Sequence, residues 1–256
     1  MHPFIYIDGF PFAVYSLMGI FGYTASIVLV LIKRRAFRFC VRDVLQFAVF
    51  AAIGILGGAR ILSVIVKMVQ LGHEPGFWGA RHLLDLILKS GWVFYGGLLG
   101  GFGMLFLLAK LRHMNRNNIF NAYVYVALTF VSVARLGCFF TGCCYGITLS
   151  HGTRLPVQLF ESGFCFAVLV AFLIVRPERR WPGLPLFPVF LTIYSVGRFM
   201  LEFLRGDASR GVWILSTSQW IALVLITISV IWIKKSGFSL RSNKSKKQKA
   251  QGVVRL

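Results

Sequence analysis

Seven stretches of about twenty predominantly apolar residues dominate this sequence, at 12–32, 44–69, 92–111, 119–140, 157–175, 184–204 and 212–233. A run of that length, wound as a helix, matches the hydrocarbon thickness of a bilayer. Composition agrees: 57% of the residues are hydrophobic and only 14% charged, against about 25% charged in soluble domains. A soluble fold of 256 residues could not hide that much apolar surface, so lipid replaces water over much of the exterior. The expected class is an all-α integral membrane protein with seven transmembrane helices.

The net charge is +20. On a soluble chain that balance would suggest nucleic acid, but here the basic residues flank the apolar runs, so the partners expected are membrane lipids and not nucleic acid. Nineteen of the Lys and Arg residues follow the first, third, fifth and seventh runs; five (Arg81, Lys89, Arg154, Arg205 and Arg210) lie in the opposite segments. The richer side belongs in the cytoplasm. The amino terminus is therefore expected outside and the carboxyl terminus inside, in a multi-pass arrangement. The first run has its basic cluster after it and none before it, unlike a cleaved signal peptide. Between runs two and three, Phe77, Trp78, Leu83, Leu84, Leu86 and Ile87 alternate with polar groups, the pattern of a small extracytoplasmic amphipathic arm. Residues 1–233 form the transmembrane domain; 234–256 form a basic tail of disordered composition.

Four basic residues fall inside runs: Arg60, Lys67, Arg135 and Arg198. A charge at the bilayer centre costs roughly 2.5 to 3.5 kcal/mol on insertion scales, so such groups face the bundle interior, pair, or mark a site. Lys67, close to a helix end, snorkels. Arg198 and Glu202 are spaced i, i+4 and share a helix face. Arg135, Glu161 and Glu202 all fall near the outer ends of their runs, with Arg198 about one turn deeper. The pair is either a structural ion pair or part of an anion site, since a guanidinium holds phosphate by two parallel hydrogen bonds. Three arginines, Arg60, Arg135 and Arg198, against two acids leave positive charge over for an anion.

Gly57-Gly58, Gly96-Gly97 and Gly100-Gly101 lie in the second and third runs. Close helix packing accounts for such pairs; for Gly96-Gly97, directly after Tyr95, an approach of backbone to ligand is an equal alternative. The most unusual local sequence is Arg135-Leu-Gly-Cys-Phe-Phe-Thr-Gly-Cys-Cys-Tyr-Gly146, with Cys138, Cys143 and Cys144 among the five cysteines. Zinc usually needs four ligands, and the nearest histidine is His151, so no metal and no cofactor are expected. A disulfide on the outer side is one alternative; small buried thiols are the ordinary reading.

These residues fall in a familiar order. Arg135, Gly137, Phe139, Gly142, Tyr145 and Gly146 match a signature of Arg, aliphatic, Gly, Asn, Phe, then Gly, an acid and an aromatic-Gly pair. Leu155-Pro156-Val157-Gln158-Leu159-Phe160-Glu161 echoes a His-Pro-Ser-Gln-Leu-Tyr-Glu segment. Tyr194, Arg198, Glu202, Phe203, Arg205 and Asp207 match a late block, Tyr15 an early tyrosine, and Gly57, Gly58 and Arg60 a Gly-Gly-Arg. The chain thus resembles the bacterial phosphatidylglycerol–prolipoprotein diacylglyceryl transferases over nearly its whole length. It departs from them at Tyr95, where the family has His, at Cys138 for the signature Asn, at Cys143 for the acid, and at Leu155 for the His of His-Pro.

The resemblance implies transfer of the diacylglyceryl group of phosphatidylglycerol to the lipobox cysteine of a preprolipoprotein, the first step of lipoprotein maturation. It implies Arg135 and Arg198 on the phosphate, with Glu202 orienting Arg198 and Tyr95 in the place of the family's proposed base. Tyr15, Arg60, Gly96, Gly97, Gly137, Cys138, Gly142, Gly146, Gln158, Glu161, Tyr194 and Arg205 would then line the substrate site. The alternatives are a related transferase with another acceptor, and a membrane protein that only binds or transports anionic lipid. Neither an inverted repeat nor paired broken helices favour the transporter.

Overall fold

The computed structural model describes residues 4–7, 10–71, 91, 93–150, 152–206, 211–212 and 215–237. Most of the amphipathic arm expected at 70–89, the tail beyond residue 237, and Asp207 and Arg210 lie outside the described residues. Within them each expected apolar run is helical over most of its length. The helices are α1 (Val14–Lys33), α2 (Val41–Leu71), α3 (Phe94–Leu111), α4 (Arg116–Thr141), α5 (Val157–Val175), α6 (Pro177–Arg180), α7 (Leu186–Glu202) and α8 (Thr217–Lys235). Five spans are long and apolar enough to cross a membrane: α1, residues 41–69 of α2, α4, residues 157–180 across α5 and α6, and α8. The chain is a multi-pass, predominantly α-helical membrane protein. The third and sixth runs give shorter helices, of 18 and 17 residues.

Local chemistry sets the helix ends. Ser216 and Gln219 form a reciprocal capping box at the start of α8, satisfying two backbone donors that the first turn would otherwise leave open. Arg176 adopts a left-handed conformation (φ 49°) between α5 and α6, and Pro177 opens α6, where its missing N–H costs nothing. Two short hairpins qualify the all-α expectation. β1 (Phe4–Ile7) pairs antiparallel with β2 (Phe10–Ala13), Phe4 opposite Ala13, and β3 (Gly211–Val212) pairs with β4 (Leu215–Ser216). Asp8-Gly9, between β1 and β2, is a hairpin signature in the sequence.

The helices fall into two compact units, 31–123 and 1–30 with 124–256. In the first, α2 and α3 meet along a seam of glycines. A methyl group on Gly58 would strike the Gly96 carbonyl and lie 2.7 Å from Gly100 Cα; one on Gly54 would be 2.8 Å from Gly101 Cα. Tyr123 closes the same unit, its hydroxyl donating to Leu98 O at 3.0 Å, and Phe102 stacks on Phe120 at 4.4 Å.

In the second unit α4 is the backbone of the packing. Gly22 brings α1 against Val133, and Ser162 Oγ donates to Ser132 O at 2.6 Å, tying α5 to α4. Gly197 on α7 receives the ring of Phe164 from α5. Phe187 meets Trp232 edge-on at 6.2 Å, joining α7 to α8.

Candidate active site

Three helix ends of the second unit bring their charged groups to one place: the last turns of α4, the first turns of α5 and the last turns of α7. Arg135 Nη2 lies 2.9 Å from Glu161 Oε1, and the other Glu161 oxygen faces Arg198 Nη1 at 3.5 Å. Arg198 Nη2 then reaches Glu202 Oε2 at 2.6 Å. The result is a ladder of alternating sign, Arg135–Glu161–Arg198–Glu202, across α4, α5 and α7. Tyr194 donates its hydroxyl proton to Glu161 Oε1 at 3.0 Å. The side chains of Glu161, Arg198 and Glu202 are 2%, 6% and 4% exposed, and only Arg135, at 17%, has an open flank.

The i, i+4 pair expected between Arg198 and Glu202 is present. Within the ladder the charges balance, Glu161 against Arg135 and Glu202 against Arg198; Arg60, the third arginine of the expectation, lies in the unit 31–123. Tyr194, expected among the residues lining the substrate site, gives its hydroxyl proton to Glu161 inside the cluster. Sequence spacing does not reveal Glu161 as the bridge, since its partners lie on two other helices.

Gly137 explains how Tyr15 reaches the same region. A methyl group there would sit 2.9 Å from Met18 Cβ and 3.5 Å from Tyr15 Cα, so α1 crosses α4 at that glycine. Tyr15 is 42% exposed and within electrostatic reach of Arg135 and Cys138.

The turn after α4 is tightly built. Thr141 Oγ1 donates back to Gly137 O at 2.9 Å. Gly142 takes φ 76°, and the Cys143 N–H returns to Cys138 O at 3.1 Å, a left-handed helix terminus that glycine favours. Cys144 is also left-handed, at φ 61°, a conformation that strains a residue bearing a side chain. Gln158, buried in the first turn of α5, donates its Nε2 to the Cys143 carbonyl. Gly146 donates to Leu155 O at 2.8 Å and forms a bridge to Arg205, while Ile147 donates to Leu204 O at 3.0 Å. A side chain at 146 would press on Leu204 O and Val157. Arg205, Gly142, Gly146 and Gln158, all expected site residues, are thus gathered around this turn.

The turn brings three sulfurs together. The Sγ atoms of Cys138, Cys143 and Cys144 all lie within 4.8 Å of one another, from a buried, an exposed and a half-buried residue respectively. A hydrogen bond from Cys138, together with Arg135 and Arg205, outweighs burial and lowers the Cys144 thiol below its ordinary range. The sequence reading named these cysteines but gave Cys143 and Cys144 no role; their convergence depends on the left-handed turn, and adjacency in the sequence was the only signal.

Tyr95, Gly96, Gly97 and Arg60 lie in the unit 31–123. Gly96 is committed to the helix seam, where a methyl group would strike Gly58 O and come within 2.6 Å of Leu62 Cβ; packing accounts for it. In the other unit, an apolar groove of about 530 Å³ runs between α5 and α7, lined by Phe164, Thr192, Val196, Gly197 and Met200.

A family model described as prolipoprotein diacylglyceryl transferase matches residues 3–234. A phosphatidylglycerol–prolipoprotein diacylglyceryl transferase of Clostridium tetani (strain Massachusetts / E88) is 30% identical over 236 residues, which cover 84% of this chain and 90% of the relative. One of Clostridium perfringens (strain 13 / Type A), numbered 2, is 29% identical over 68% of this chain and 70% of its own length. A third, of Clostridium novyi (strain NT), is 27% identical over 72% of this chain and 76% of its own. The family model covers nearly all of the described helices and every residue of the ladder, and the chain belongs to the prolipoprotein diacylglyceryl transferase family.

Proposed function

We propose that the chain transfers the diacylglyceryl group of phosphatidylglycerol to the lipobox cysteine of a prolipoprotein at the outer face of the bacterial cytoplasmic membrane. The observation that carries the assignment is the ladder. A membrane-embedded guanidinium with one open flank, braced from behind by Glu161, is a ready phosphate site. Residues 1–233 are the catalytic domain, with seven spans, the amino terminus outside and the basic tail at 234–256 against the inner leaflet. The α3 and α7 helices are the shortest of the seven.

The chemistry is displacement at a glyceryl carbon. The acceptor sulfur, as thiolate, attacks; the carbon–oxygen bond breaks, and its electron pair leaves on the phosphate of glycerol phosphate. Charge develops on the leaving phosphate, so fixed positive groups stabilise the transition state more than the ground state. Arg135 Nη2 engages Glu161, and the other donors of a guanidinium's five remain for the phosphate. Arg198 is more deeply enclosed by two carboxylates and acts by holding Glu161, and through it Arg135, in place. Arg205 and Tyr15 flank the headgroup. The apolar groove between α5 and α7 suits an acyl chain. Tyr95, a phenol with a free pKa of about 10, is a poor general base.

The test is transfer of label from radiolabelled phosphatidylglycerol to a lipobox peptide by the purified protein. Label should move to the cysteine peptide and not to its Cys→Ser counterpart. Arg135→Ala and Arg198→Ala should each abolish transfer. Retained transfer in folded preparations of both would reject the assignment, and consumption of the lipid without labelling of the peptide would point to a different acceptor.

A further inference from the structure

We propose that Cys138, Cys143 and Cys144 hold one zinc ion as three thiolates, and that its fourth position takes the sulfur of the acceptor cysteine. The inference rests on the transferase reading and supplies what that reading lacks, a means of deprotonating the acceptor thiol.

The geometry is the argument. Three Sγ atoms lie within 4.8 Å of one another. Sulfurs held at about 2.3 Å from one tetrahedral zinc are about 3.8 Å apart, so rotation of the side chains closes the remaining gap. Two backbone features aim them at a common point. Cys138 stands on the last full turn of α4, and the chain then reverses through Gly142 and the left-handed Cys144. The strain at Cys144 is otherwise unexplained; strained conformations of this kind persist where a site needs them. Gln158 clamps the turn through the Cys143 carbonyl, so the arrangement is preset.

Ligand type and charge select the ion. Thiolates favour soft or borderline metals over magnesium or calcium. Zinc has no redox chemistry and leaves thiols unoxidised. Three thiolates and Zn²⁺ carry one net negative charge, and Arg135 and Arg205 already act electrostatically on Cys144. Three protein ligands with one vacancy is the pattern of catalytic zinc, whereas structural zinc is closed by four. The exposure gradient fits: Cys138 is buried, Cys144 half-buried and Cys143 exposed, so the vacancy faces outward past Cys143.

The step balances. The acceptor thiol binds zinc and releases its proton to water, as thiol ligands do. A lone pair on the zinc-bound sulfur forms the new carbon–sulfur bond. The carbon–oxygen bond breaks, and its electrons leave on glycerol phosphate, whose added negative charge Arg135 stabilises. The thioether product is neutral and a weaker ligand than thiolate, so it departs and the position reopens.

Purified protein in detergent tests this, with zinc measured by mass spectrometry and cobalt substituted for it. One zinc per chain is expected, retained in Cys40→Ser and lost in Cys143→Ser and Cys144→Ser, whose transfer rates fall at least tenfold. The cobalt protein should show thiolate-to-cobalt charge-transfer absorption. Its visible bands should shift when the lipobox peptide is added, and stay unchanged with the Cys→Ser peptide. Absence of bound metal, a disulfide within the trio, a cobalt spectrum indifferent to the peptide, or full transfer in Cys143→Ser would each overturn the proposal. The two readings fail separately. Metal-free transfer leaves the transferase and removes the zinc; a peptide-dependent cobalt shift without label transfer keeps the zinc and removes the lipid donor.

Discussion

A carboxylate held between two guanidiniums in a low-dielectric setting compensates both, and its removal strands the one that has no second carboxylate, here Arg135, while Arg198 keeps Glu202. Glu161 has that position, with one oxygen toward Arg135, the other toward Arg198, and the Tyr194 hydroxyl on the first. Glu161→Gln preserves the shape and removes the charge. It should lower stability by about 3 to 5 kcal/mol, the usual cost of breaking a buried pair, and cut transfer by about a hundredfold or more, as loss of a charge-stabilising group does; thermal unfolding in micelles and the labelled-lipid assay read the two. Arg135→Lys keeps the charge but loses the planar fork, so transfer should fall while the unfolding temperature stays nearly constant. An unchanged transfer rate in Arg135→Lys would mean that a point charge suffices at that position. The i, i+4 pairing of Arg198 with Glu202 was legible in the sequence because one helix contains both. The role of Glu161 was not, because three helices must first converge on it.

At the scale of elements, the glycines of α2 offer a sharp contrast. A methyl group on Gly58 would strike the backbone of α3, while one on Gly57 meets nothing within 4 Å. Gly58→Ala should therefore force the two helices apart at a cost of about 1 to 3 kcal/mol, whereas Gly57→Ala should be neutral or slightly stabilising, since alanine is the better helix former. Thermal unfolding of the two purified variants separates them, and equal unfolding temperatures would disprove the seam. The helices themselves were legible from the apolar runs, to within a few residues at most ends, because lipid leaves the backbone no alternative. The hairpin of β1 and β2 was missed. Its strands are four residues each with Pro11 among them, too short for periodicity to mark; only Asp8-Gly9 hinted at it. The turn that gathers the sulfurs was equally hidden, since glycine at 142 announces a reversal but not the left-handed geometry of Cys144.

For the molecule as a whole, the proposed topology rests on the uneven distribution of Lys and Arg. A fluorescent protein fused after Leu256 should fold and fluoresce in intact bacteria, while alkaline phosphatase fused at the same place should stay inactive; the reverse would invert the proposed orientation. The Arg135–Glu161–Arg198–Glu202 ladder also bears on turnover. A phosphate that docks on Arg135 must share that guanidinium with a carboxylate already in residence. Glu161 thus behaves as a permanent rival to the substrate's own anion. On the proposed mechanism Glu161 keeps its hold on Nη2 throughout, so the departing glycerol phosphate meets a guanidinium already partly neutralised and leaves sooner. A bare arginine would grip its product harder and cycle more slowly.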